Sequence, residues 1–402
     1  MFMLIQQAQT GTEWLSWIIF FIFLLFLSEI QAYMLIYSVR SFLNEVRVYD
    51  GLGRWYIVSI ILSARRDLIE KVPGITAREK AEQLKKDPEF NKLLDWTKEV
   101  LDSFVISPVT LDPSGVLQRL EHLLDVRKKR LRGIANRIIP DAPLYIKKNL
   151  ESALEAASAI HSIYKLSEHI YRVGVNTKSY IYLMQLKMLI PYFREMIISY
   201  YDALKAFRAG IPIGDGVGPM VAQRFFGEEV TVDETNDVIY SVSEFEDRYI
   251  LSLKAHGPGS EVGKPGEVIK KVIEELKGDV QAVITIDAAL RLESEKTGDI
   301  AVGVGAAIGD PGPEKYKIET VCAKYKIPLY AVVIKESYIE AVTPMNREIA
   351  EAADRAVEVV KKLIREEVPK EGKVIIAGIG NTVGIGNEKI IEKEKSLPTG
   401  AA

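Results

Sequence analysis

Two aspartates stand where this sequence could support acid–base chemistry. Asp215 lies in Gly210-Ile-Pro-Ile-Gly-Asp-Gly-Val-Gly-Pro-Met-Val-Ala222, an acid among small residues followed by an apolar run that reads as a helix start. Asp287 closes the apolar run Ala282-Val-Ile-Thr-Ile-Asp287-Ala-Ala. Glycines such as Gly214 and Gly216 let backbone approach a ligand closely and hold an acid at a loop tip. Two carboxylates close together do not both ionise easily, so one keeps a proton while the other can activate water. Each acid also has a plainer reading. Asp215 could cap the helix beginning near Pro219, and Asp287 could form a turn at a strand end. Asp310-Pro-Gly is ordinary turn chemistry, and His256 before Gly-Pro-Gly reads either as a turn residue or as part of a site. The convergence of these four residues on one sheet edge is what favours a site.

Other chemistries are harder to build. The single cysteine, Cys322, excludes a disulfide within the chain and a cysteine metal cage, and reads as a small buried apolar residue. The four histidines, His122, His161, His169 and His256, show no HExxH-type spacing. A net charge of −3 gives no electrostatic case for nucleic acid as a partner. Gly378-Ile-Gly-Asn-Thr-Val-Gly384 is spaced GxGxxxG and opens no βαβ unit, so a close-approach turn beside the acids fits it better than a dinucleotide loop. Gly378, Gly380 and Asn381 are then binding backbone. Arg127–Arg132 is the one basic cluster; it reads as a solvated helix face or as a contact for anionic headgroups, and it lacks the interleaved aromatics of RNA binding.

Three kinds of element must position these residues. Trp14–Val39 is nearly all apolar, and Leu15 to Ile36 as a helix would run about 33 Å, enough to cross a bilayer core. Trp14 and Trp17 at one end and Tyr33 and Tyr37 at the other suit the two interfaces. No Lys or Arg precedes Arg40 and no cleavage motif follows, so the segment reads as an uncleaved anchor and not a signal peptide. Arg40, Arg47, Arg54, Arg65 and Arg66 follow the span, which puts the N-terminus outside and the rest in the cytoplasm of a single-pass cell-membrane protein. Glu29 inside the span costs on the order of 2–3 kcal/mol near the bilayer centre. Pairing with Gln31 or Tyr33 of another copy would offset that and imply a homo-oligomer; a tilt towards the interface would also do so.

Residues 41–209 read as an all-α domain, with helices over Tyr56–Leu68, Ala77–Lys86 (capped by Thr76 and Glu79), Lys92–Phe104, Val116–Arg137, Leu144–Val173 and Tyr180–Phe207, the last kinked at Pro191. Lys187, Arg194 and Glu195 make that last helix a core helix and not a second span. From Gly210 strands and helices alternate: a hairpin of Val238–Ser243 and Arg248–Leu253, buried parallel strands at Gln281–Ile286, Ile300–Val304 and Leu329–Ile334, a last strand at Lys373–Ala377, and helices at Met220–Phe226, Gly266–Leu276, Glu314–Tyr325 and Asn346–Glu366. This pattern predicts an α/β domain with a mainly parallel sheet covered on both faces, and a ligand at the carboxyl ends of its strands. The expected organisation is 1–40 membrane anchor, 41–209 helical domain, 210–387 α/β domain and 388–402 flexible tail.

The α/β domain resembles the bacterial spore germination protease and, more distantly, the hydrogenase maturation proteases of the same phosphorylase/hydrolase-like fold. The resemblance runs from about Gly214 to Pro344, through Gly214-Asp-Gly-Val-Gly-Pro-Met-Val-Ala, His256-Gly-Pro-Gly with Gly263-Lys-Pro-Gly-Glu-Val, Val283-Ile-Thr-Ile-Asp-Ala-Ala, Ile308-Gly-Asp-Pro-Gly and Ile327-Pro-Leu-Tyr-Ala-Val-Val-Ile. It implies that Asp215 and Asp287 are the acids that hydrolyse a peptide or protein substrate. In metal-using relatives a histidine completes a divalent-ion site; here Asp310 stands in its place, and Asp215, Asp287 and Asp310 together would favour a hard ion such as Mg²⁺. A further acid of the germination protease site is replaced within Gly303–Ala307. The strand that opens that family's sheet, ending Gly-x-Gly-Asn, appears here at the far end as Val374-Ile-Ile-Ala-Gly-Ile-Gly-Asn381, which implies a circular permutation. The whole chain also resembles an archaeal membrane protein family of unassigned function. The function expected is a membrane-anchored cytoplasmic peptidase; the alternative is an inactive protease-like domain that binds a ligand or serves as a scaffold under the membrane.

Overall fold

The computed structural model describes residues 2–65, 86–103, 115–309 and 312–389, with backbone alone for residues 2–15, 25 and 28. The chain forms two compact units, Met1–Leu52 with Ala159–Ile198, and Gly53–Ser158 with Ser199–Ala402. The described helices of the N-terminal half are α1 (Phe2–Ala64), α2 (Pro88–Leu101), α3 (Val116–Ile138), α4 (Leu144–Asn176) and α5 (Tyr180–Ala209). The expected helix Ala77–Lys86 falls almost wholly outside the described residues.

In the first unit, α1 does not stop where the apolar run ends. No proline lies between Leu15 and Ala64, and Gly51 meets no atom that would force a break, so the anchor and the following amphipathic stretch are one helix. The two parts differ in what covers them. Described side chains from Ser16 to Gln31 are exposed, whereas Leu35, Val39, Phe42, Leu43 and Val46, spaced three and four apart, are buried. Ile160 and Ile163 of α4 and Leu183, Leu186 and Ile190 of α5 are the buried counterparts. His161 Nδ1 meets Asp50 Oδ1 at 2.9 Å, both groups buried, and Arg194 grips Glu45 with two nitrogens. Pro191 lies inside α5. The helix α1 is long and apolar enough to cross a membrane.

The second unit holds the sheet. Its strands are β1 (Val230–Asp233), β2 (Val238–Glu244), β3 (Tyr249–Ala255), β4 (Ala282–Leu290), β5 (Ile300–Val304), β6 (Leu329–Glu336) and β7 (Lys373–Gly378), in the order β1-β2-β3-β7-β4-β6-β5. The sheet is mixed, not mainly parallel. β3, β7, β4 and β6 run parallel in its centre, while β1 and β2 on one side and β5 on the other are antiparallel. The short turn Phe245–Arg248 can only fold β3 back on β2. β5, expected as a buried parallel strand, is an exposed antiparallel edge on β6; its small, β-branched composition suits an edge as well as a core.

Alternation along the central strands serves two cores. Ile284, Ile286, Val374 and Ile376 face α6 (Val217–Gln223) and the helix Arg347–Glu367; Val283, Ile375 and Ala377 face α7 (Pro265–Glu275) and α8 (Pro313–Tyr325). With the short α9 (Tyr338–Val342), Arg347–Glu367 is α10. Both faces of the sheet are covered, as a near-continuous apolar strand demands. β7 is the last strand in the chain and lies between β3 and β4, so the turn that follows it opens beside Asp287.

Candidate functional site

Asp215 sits in a 3-10 turn, Gly214–Gly216, immediately before α6. It does not cap that helix: its Oδ2 accepts the backbone N–H of Asn381 at 2.8 Å, across from the end of β7. Asp287 lies one residue beyond the last paired position of β4 and β7, Ile286 with Gly378, and its Oδ1 accepts the N–H of Ala288 at 2.8 Å. Two glycines make this arrangement possible. A Cβ on Gly218 would strike the carbonyls of Ile379 and Ile286, and Gly380, at φ +127°, has no room beside the carbonyl of Asp215. The glycines let segments of the protein approach one another closely. Gly214 backs onto Glu340 and the Glu336 carboxyl, Gly216 onto Asn381 and Ile385, and Gly378 onto Gly218.

A third acid completes the group. Glu336, the last residue of β6, is 1% exposed, and neither carboxyl oxygen has a hydrogen-bond partner. Burial raises its pKa to about 8, and the charge of Asp215 adds to the shift. Loss of water raises Asp215 as well; it keeps some accessible surface, and the Asn381 N–H opposes the rise. Asp287 is raised well above the carboxylate range by burial first and then by Asp215, against the N–H groups of Ala288 and Gly309. Asp215 therefore acts on Asp287 and Glu336 at the carboxyl ends of β4 and β6, and Glu336 holds a proton at neutral pH.

Asn381 links the acids to a second set of side chains. Its Nδ2 donates to Ser260 Oγ at 2.8 Å, Ser260 Oγ donates to Ser152 Oγ at 2.7 Å, and Ser260 N–H donates to Asn149 Oδ1 at 2.9 Å. His256 belongs on this side. Its pKa is lowered by burial, then by Lys148 and Lys254, with Asp237 and Glu261 opposing, so it is neutral at pH 7 and its strongest charged neighbours are not the acid pair. Around it Lys148, Lys128 and Arg132 pair with Asp237 and Glu261 at 2.7–3.4 Å. Arg127 pairs with Glu155 and Arg130 with Glu99. Most of the basic cluster Arg127–Arg132 is thus tied into ion pairs within the protein. Asp237 and Glu261 lie about a hundred residues from the cations they pair with, which no local pattern reveals.

Asp310 lies outside the described residues. Among the described residues no group of three or more His, Cys, Asp and Glu is placed to hold a metal ion. Two site residues escaped the sequence reading. Glu336 lies two residues beyond the expected strand Leu329–Ile334, and the alternation Val332, Ile334, Glu336 places it on the buried face. Lys254, level with Gly378 on β3, is fully buried, donates only to its neighbour's carbonyl (Ala255 O, 3.2 Å), and is lowered by burial to about 7.

No curated protein and no solved structure matches the chain. Residues 14–210 match the N-terminal domain of a protein of unknown function (DUF1512), and residues 213–386 match the C-terminal domain of unknown function (DUF1512). With nearly its whole length so matched, the chain belongs to the DUF1512 family.

Proposed function

We propose that the protein is a single-pass membrane-anchored hydrolase whose Asp215–Asp287 pair cleaves peptide bonds. The observation that carries this reading is the placement of the two acids together at the carboxyl ends of the central strands, the position where open α/β sheets hold ligands, with Asp215 raised by burial and in turn raising Asp287. The ionised member takes a proton from water, whose oxygen attacks the peptide carbonyl carbon. The protonated member gives its proton to the leaving nitrogen, the C–N bond breaks, and a carboxyl and an amine result. The ordered runs shared with the germination protease support the choice of a peptide, and the central position of β7 supports a circular permutation of that fold. The arginines after the span support a cytoplasmic site.

The test is turnover of a fluorogenic peptide library by the full chain in detergent. Asp215→Asn and Asp287→Asn should each lower turnover by about 10²-fold or more with far-UV circular dichroism unchanged. Turnover that survives both substitutions overturns the reading. One feature favours a second reading, a binding or scaffold domain without turnover: Asp287 is only 4% exposed, and Gly214, Gly216 and Gly378 are packed by protein. Stoichiometric peptide binding by wild type without cleavage would establish it.

A further inference from the structure

We infer that the start of α5 is a second membrane contact: the α4–α5 turn enters the headgroup layer end-on beside α1 and lays an apolar stripe against lipid. The inference rests on the reading of α1 as a membrane span. It concerns the first compact unit alone.

The helix α5 is apolar on two opposite sides. Leu183, Leu186 and Ile190 are buried. At 100° per residue, Ile181, Met184, Met188 and Tyr192 fall on the other side, and they are 68%, 57%, 79% and 56% exposed. A helix whose second apolar stripe is left this exposed by the described residues needs another apolar medium.

The position of the stripe identifies that medium. A groove of about 420 Å³ runs between Gln31, Met34 and Leu35 of α1 and Tyr180, Met184 and Met188 of α5. Farther along, Arg194 of α5 pairs with Glu45 of α1. From Gln31 to Glu45 and from Tyr180 to Arg194 the offset is the same, so the two helices run side by side in the same direction. The unbroken run of exposed described side chains on α1 ends at Gln31 and burial begins at Leu35, which puts the far end of the hydrocarbon core near this level. Tyr180 therefore stands at the core boundary, and Met188 about 12 Å farther into the headgroup side.

The surroundings agree. Tyr33 and Tyr37 on α1 and Tyr180 and Tyr182 on α5 are exposed at this level, as interfacial aromatics are. Lys178 in the turn and Lys187 beside the stripe would meet anionic headgroups. Lys187, which argues against a second span, is in place on a helix that reaches the interface and goes no deeper.

Spin labels on the full chain in nanodiscs containing anionic lipid test this, because the native Cys322 is buried and leaves introduced cysteines as the labelled sites. Phe23→Cys reports the span, Val304→Cys reports water, and Ile181→Cys, Met184→Cys and Tyr192→Cys report the stripe. The ratio of collisions with oxygen to collisions with a water-soluble nickel chelate should be highest at Phe23→Cys. It should be several-fold above Val304→Cys at Ile181→Cys and Met184→Cys, and fall off at Tyr192→Cys. A lipid-like Phe23→Cys with a water-like Ile181→Cys and Met184→Cys overturns this inference and leaves the anchor standing. A water-like Phe23→Cys overturns the anchor itself.

Discussion

The second unit buries two groups of charged side chains, and they are built on opposite principles. In one, Asp237 and Glu261 sit among Lys128, Arg132 and Lys148. Burial alone would raise both acids, but the cations outweigh it and hold both below the ordinary carboxylate range. In the other, Asp215, Asp287 and Glu336 have no cation among the main influences on them; burial drives all three upward, and the charge of Asp215 adds to the rise of Asp287 and Glu336. Glu151 marks the border: it stands 3.8 Å from Arg132, yet burial still carries it to about 7. The lesson is that burial pushes every one of these acids upward, and only enough cations close by bring an acid back down. A compensated cluster is structural and stays ionised, whereas an uncompensated one holds protons it can exchange near neutral pH.

The largest way to break this contrast is to uncompensate the first cluster. Lys148→Met leaves Asp237 and Glu261 short of a buried cation and should cost about 3–5 kcal/mol of stability by denaturant titration at pH 7. That loss should shrink as the pH falls below the ordinary carboxylate range, since the acids' depressed folded pKa values give stability only above it.

Lys254 is the inverse case, a buried cation with no acid as partner. Its folded pKa of about 7 lies below the unfolded 10.5, so the folded state binds fewer protons and stability rises with pH between these values. Lys254→Met should stabilise the unit by on the order of 4 kcal/mol at pH 7 and remove that rise.

Glu336→Gln sharpens the comparison on the acid side. The folded pKa of about 8 exceeds the unfolded 4.5, so wild-type stability contributed by this proton is full below pH 4.5 and is lost as the pH climbs to 8. The amide should flatten that decline and gain about 3 kcal/mol at pH 7, read as an unfolding free energy at several pH values. An unchanged pH profile would mean that Glu336 does not hold the proton assigned to it.

Much of the fold was legible because strands and helices here carry strong periodicity. The helix α10, with Ile349, Ala352, Ala353, Ala356 and Val357 buried, and the runs 282–286 and 374–377 each state their own partner layers. The edges were less legible. β5 has the same residue types as a core strand, and only its neighbour's register shows that it lies outside. The proximity of Asp215 to the turn after β7 was visible as a juxtaposition of two glycine-rich loops, and the hydrogen bond from Asn381 meets that expectation. What the glycines contact was not visible, because a residue without a side chain leaves no pattern of its own. Nor was the pairing of Lys128 and Arg132, whose partners Asp237 and Glu261 come from loops remote in sequence.

The place of β7 also orders events in time. The strands β1–β3 and β4–β6 are made early, but only residues 373–378 join them, through β3 on one side and β4 on the other. Until β7 emerges, two half-sheets stand with open inner edges, while α1, far earlier in the chain, has already been made. The acid site cannot assemble before the sheet closes, since the turn that holds Asp215 follows the closing strand. Late, long-range closure of this kind is slow and leaves unpaired edges exposed. Tethering the nascent chain at its other end would keep those edges apart from the edges of neighbouring chains during the wait.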